Sequence, residues 1–278
     1  MTSELLQNPA VQAAVLPSLV ALAVATLLRR SFLLGLAVAA GFACAVTLSI
    51  GLSFEGLSSL RKLAIAGMLS LTVLPMLART GVHSTLATRV GIVSWACISV
   101  LWMLLRILAQ RGTIAAAGAA FAACVFMALL VEFTSAAGRA DSIRGTAAAM
   151  VLAAGSGLLA ILGASATLGV LGIAAAAGVA ATGLIQILTN QHCIPVASIA
   201  APAAIVSASV VLLTVFTGEL SWYCPIPLLA APWAVRWIAP TSRRGVVVAV
   251  LAVLAAAVPV ALAIALAWFS TPSIAKQS

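Results

Sequence analysis

The chain has 278 residues, of which 64% are hydrophobic and only 7% charged, with a mean hydropathy of +1.25. About a quarter of the residues of a soluble domain are charged, so this composition excludes one and requires lipid as the solvent. The excess of 14 Lys and Arg over 5 Asp and Glu would suggest a nucleic-acid partner in a soluble protein, but these basic residues fall between long apolar runs, where they act as topology signals and imply no nucleic acid.

A backbone in hydrocarbon must satisfy its own hydrogen bonds, which leaves helical bundles and closed barrels. The apolar runs lack the period-two alternation of barrel strands. The expected fold class is therefore all-α, a polytopic transmembrane helical bundle with one integral membrane domain over 1–278. A bilayer core of about 30 Å needs about 20 helical residues. On that ruler the chain divides into about 10 spans (9 to 11), at 9–28, 31–53, 58–78, 90–109, 112–131, 145–163, 167–188, 194–217, 221–240 and 245–269.

At the start, MTSELLQNPA carries no basic side chain ahead of the first apolar run, so no cleavable signal is expected and the first span should remain. Of the five cysteines, Cys44, Cys97 and Cys124 lie inside spans, where the residue behaves as a small hydrophobe, and none of the five has metal-ligand spacing. The longest polar connections are expected at 79–89 and 132–144.

From Gly145 to Gly218 the chain contains no Asp, Glu, Lys or Arg. The first part of that run is long enough for two spans joined by a tight turn at Gly163 to Thr167. A second turn is expected in TNQHCIP, Thr189 to Pro195, with His192 and Cys193 on the cytoplasmic side. An intramembrane serine protease built on Ser165 and His192 is excluded, because one continuous helix would hold them about 40 Å apart, whereas a Ser–His pair must approach to about 3 Å. Gly172, Ala176 and Ala180 recur every fourth residue on one helical face, a pattern that lets backbones approach closely.

The stretch WYCPIPLLAAPWAVRWIAP, Trp222 to Pro240, carries four prolines and predicts a broken or strongly kinked span. Broken backbone inside a membrane is tolerated where protein buries it or a hydrated cavity reaches it. Glu219, Pro225, Pro227, Pro232 and Arg236 are accordingly the candidate pathway-lining residues. The alternative is that Pro225 and Pro227 precede the helix, with Trp222, Tyr223, Trp233 and Trp237 forming interfacial belts and Arg236 snorkelling to the interface. Pro259, near the middle of the last span, predicts a further kink. An offset that places Glu55 on Glu219 and Arg79 on Arg243 overlays span 2 on 8 and span 3 on 9, a candidate internal duplication.

With the N-terminus outside, nine of the fourteen basic residues collect on one side, so both termini are expected outside a bacterial cytoplasmic membrane. Two histidines without an acidic cluster give no metal site, and no phosphate loop, HExxH helix or paired-carboxylate spacing is present. Neither a cofactor nor enzymatic activity is expected. Two functions fit: a secondary carrier for a small solute or ion, whose substrate the sequence does not name, or a non-catalytic membrane subunit or scaffold. The partners implied are the lipid bilayer and either another protein or further copies of this chain. A hydrated cavity beside the Pro-rich segment would favour the carrier, and a dry, packed bundle the scaffold.

Overall fold

The computed structural model describes residues 14–29, 32–51, 58–78, 86–163, 165–189, 199–217, 220–238 and 245–270. Of these residues 90% are helical and none lies in a strand. In chain order the elements are α1 (Leu16–Leu27), a 3-10 turn (Phe32–Gly35) leading into α2 (Leu36–Ser49), α3 (Ser59–Ala78), α4 (Leu86–Leu108), α5 (Thr113–Ala140), α6 (Ser142–Leu162), α7 (Ala166–Thr189), α8 (Ala200–Phe216), a second 3-10 turn (Ile226–Leu229) leading into α9 (Ala230–Arg236), and α10 (Gly245–Ser270). Six of them, α3 to α7 and α10, are long and apolar enough to cross a membrane, and three shorter apolar helices accompany them at Leu16–Leu27, Leu33–Ser49 and Ala200–Phe216. The chain is an integral membrane protein, all-helical among the described residues, and those residues contain six full-length candidate crossings where the hydropathy reading has ten.

Several expected boundaries move for identifiable reasons. The connection expected at 132–144 is almost entirely helical, since α5 runs on to Ala140 and α6 starts at Ser142. Nothing in the run after Glu132 breaks a helix, and Glu132 pairs with Arg139 two turns further along the same face. Asp141 alone makes the link. Its extended backbone ends one helix, and its carboxylate accepts the Ile143 N–H at 2.9 Å to cap the next. At 3.4 Å from the same carboxylate sits the Arg144 guanidinium.

The turn expected at Gly163 to Thr167 is present. The Gly163 N–H donates to Leu159 O and the Ser165 N–H to Ala160 O, both at 2.9 Å, closing α6; the Ser165 carbonyl then accepts from Gly169 to open α7. Pro259 lies inside α10, which continues unbroken to Ser270. The turn expected around His192 and Cys193 falls outside the described residues, as do Glu55, Arg79, Glu219 and Arg243. Of the segments that the candidate duplication overlays, span 3 is one continuous 20-residue helix, whereas span 9 is a 3-10 turn followed by a seven-residue helix.

The centre of the bundle is α8. Every residue from Ala200 to Phe216 is buried, and α3, α4, α5, α6 and α7 all pack against it. At 1.5 Å per residue its 17 residues extend about 25 Å, less than a bilayer core; neighbouring helices, not lipid, surround it, so its length need not match the membrane. Two of its hydroxyls are served within the helix, Ser207 donating to Ala203 O at 2.7 Å and Thr214 to Val210 O at 2.9 Å.

Around this centre the helices meet through small residues. A Cβ placed on Gly172 would lie 2.6 Å from Gly157 Cα, so α6 and α7 touch backbone to backbone. The α1–α2 hairpin closes where Gly41 leaves room for the Pro17 carbonyl, and it docks on α7 where Gly178 faces Val38. Lipid tails are as apolar as these side chains, so close van der Waals approach is what favours helix against helix over helix against lipid.

Candidate functional site

The Pro-rich segment starts beside the far end of α10, where Cys224 Sγ lies 3.4 Å from Ser270 Oγ. Gly245, the first residue of α10, sits at the opposite end against Ile143 in the first turn of α6. The 26 residues of α10 extend about 39 Å, so the chain between Cys224 and Gly245 must return along that whole length. It does so without one continuous helix.

Its three described prolines do not interrupt helix interiors; Pro240 lies outside the described residues. Pro225 precedes the 3-10 turn, Pro227 stands at its start, and Pro232 lies in the first turn of α9. At each position the absent N–H is one that no intrahelical carbonyl would accept. Pro225 and Pro232 are buried and Pro227 is half-buried. Arg236 closes α9 and is exposed; Trp233 and Trp237 on either side of it meet edge to face at 5.3 Å. Trp222 meets Phe216 edge to face at 5.1 Å, and the Arg111 guanidinium lies over the other partner, Phe216, also at 5.1 Å. Trp222, Tyr223, Trp233 and Trp237 are exposed, while Cys224, Leu228, Ala231 and Val235 turn inward onto α5, α6 and α10. Glu219 lies outside the described residues.

Two grooves lie elsewhere. One, of about 430 Å³, runs between α2 and α3 past Val46, Ile65 and Met68, with Arg61 on its wall. The other, of about 330 Å³, lies between α6, α7 and α10. Neither is lined by a residue of the Pro-rich segment.

The second groove contains a buried polar contact between two helices. Thr146 of α6 and Gln186 of α7, both buried, bring the Thr146 hydroxyl to 3.1 Å from Gln186 Oε1, while the same hydroxyl lies 2.9 Å from Ser142 O. Gln186 Nε2 is buried and has no hydrogen-bond partner among the described residues. Sequence reasoning passed over Gln186. Its signal was present all the same: it is the single amide side chain between Gly145 and Leu188, and an amide in hydrocarbon needs a partner. Among the described residues no three His, Cys, Asp or Glu side chains converge as a metal site. The chain matches no protein-family model, no curated protein and no solved structure.

Proposed function

We propose that this protein is a non-catalytic membrane subunit or scaffold, threading a bacterial cytoplasmic membrane ten times with both termini outside. One observation carries the reading: the bundle is centred on an unbroken helix, α8, sealed on every side, while the irregular segment lies at the periphery with its aromatic side chains outward. Carriers built on discontinuous helices have the reverse arrangement, with the breaks at the centre around the substrate. The ten-crossing topology is supported by the return of the chain along α10 between Cys224 and Gly245.

The test is extraction of the full chain at native abundance in mild detergent, followed by cross-linking mass spectrometry. A stoichiometric complex, with a second protein or with further copies, is the expected result. A lone monomer that moves solute in proteoliposomes would overturn the reading.

The carrier reading keeps one observation in its favour, the 3-10 turn followed by a seven-residue α-helix that ends in exposed Arg236. On that reading Arg236→Ala changes anion flux in proteoliposomes, whereas Lys276→Ala leaves it alone. Equal fluxes in both variants and in protein-free vesicles would remove it.

A further inference from the structure

The groove between α6, α7 and α10 has a definite polarity along its depth. Thr146 lies one turn into α6, Gln186 one turn before the end of α7, and Ala249 one turn into α10. All three helix ends belong to the same side of the bundle, because α6 and α10 start where α7 finishes. Deeper in, the walls become Met150, Val179 and Val253, about 12 to 15 Å from the helix ends at 1.5 Å per residue. Polar atoms stand at the shallow end and hydrocarbon alone below. The rim carries exposed Leu184, Val250 and Leu254, so the groove opens sideways among lipid-facing residues.

The Gln186 amide is incompletely served in either orientation. The Thr146 hydroxyl has one proton, and Ser142 O and Gln186 Oε1 both lie within reach of it. With the amide as placed, Nε2 has no acceptor among the described residues. Turned over, Nε2 would donate to Thr146 and Oε1 would be the end left over. A buried amide group without a partner is destabilising, so a ligand that serves it has a reason to stay.

We propose that this groove holds one glycerolipid of the surrounding leaflet as a bound component, its glycerol and ester region at Thr146 and Gln186 and an acyl chain against Met150, Val179 and Val253. The volume, about 330 Å³, lies at the small end of the range for ligand pockets, about 300 to 1,000 Å³, enough for part of one chain and no folded domain. Ester carbonyls accept from an amide N–H, and headgroup hydroxyl or ammonium groups donate to an amide oxygen, so the lipid serves either orientation. The order of groups along the groove is that of a lipid in its own leaflet. The inference holds whether the protein is a scaffold or a carrier.

The experiment reconstitutes the full chain in phosphatidylethanolamine and phosphatidylglycerol vesicles containing a phospholipid with a photoreactive diazirine in its acyl chain. Adducts are mapped by mass spectrometry after irradiation. Labelling at Met150 and Val253, both partly exposed in the groove, is expected to exceed that at outward-facing Phe121 and Val258. Gln186→Leu should lower the groove signal about fivefold, the worth of one net hydrogen bond, and Ala180→Phe, which fills the groove, should abolish it; Phe121 should label equally throughout. Even labelling at all four positions, or a groove signal that survives both variants, overturns the proposal by showing only annular lipid. An isoprenoid found in place of the phospholipid among co-purified molecules overturns the choice of occupant. Should Gln186→Leu not fold, Ala180→Leu decides: filling an empty groove raises Tm, whereas replacing a bound lipid does not.

Discussion

The α4–α5 hairpin and the α6–α7 hairpin are both long, apolar and furnished with glycine, yet they use glycine in opposite ways. On Gly91, Gly112 and Gly118 of the first, an added Cβ would meet nothing within 4 Å; on Gly157, Gly169 and Gly172 of the second it would collide with the facing helix. Correspondingly, the most apolar windows of α4 and α5 are each 28% buried, against 72% and 67% for α6 and α7. In a membrane, then, a glycine does not by itself mark a helix contact; what stands opposite decides, the Gly157 backbone for Gly172 and the Val38 side chain for Gly178.

The comparison breaks most sharply at Gly172. Gly172→Leu would force side-chain atoms into the Gly157 backbone, which cannot yield, and should destabilise by more than about 3 kcal/mol. Denaturant unfolding in detergent reads this directly, and a change below about 0.5 kcal/mol would show that the two backbones are not in contact. One turn along, Ala176→Leu should be milder, about 1 to 3 kcal/mol, since Ala176 is buried but its site already accommodates a Cβ; unchanged stability would mark that position as lipid-facing.

Asp141 tests the junction between the two hairpins. Asp141→Ala removes the cap on Ile143 and the carboxylate beside Arg144, and a loss of about 0.5 to 2 kcal/mol is expected in the same assay; Asp141→Asn, which retains an acceptor, should recover most of it. The smallest effect has the opposite sign. Gly118→Ala places a methyl group in open space and improves helix propensity, so stability should rise by about 0.5 to 1 kcal/mol. A loss there would mean that α5 is covered by another helix and that the contrast between the hairpins is false.

Much of the secondary structure was legible, and the reasons it was legible also mark where reading stopped. The turn at Gly163 to Thr167 was visible because an uncharged run too long for one crossing needs a break. The face holding Gly172 was visible from its four-residue spacing. Its partner was not, because which residue of α6 stands opposite Gly172 depends on the register set by the Gly163 turn. The connection at 132–144 was misjudged because polarity was equated with loop, although α5 tolerates Glu132 and Arg139 by pairing them. In the Pro-rich segment the choice between broken span and helix-start prolines stayed open until the positions of Pro225, Pro227 and Pro232 relative to each helix start were known. Gln186 was missed because its significance lies in Thr146, forty residues earlier in the chain and next to it in space.

By itself the sequence determined that this protein lives in lipid, that it is helical, and roughly where its helices begin and end, since those properties follow from local composition and from the need of each backbone to bond within itself. Only the tertiary structure decided that α8 stands at the centre, that α4 and α5 line the outside, and that the Pro-rich segment lies at the edge. In water an apolar stripe would have identified the inward face of each helix. In a bilayer the solvent is as apolar as the core, so inside and outside carry the same composition, and shape, through small residues meeting backbone to backbone, selects the partner.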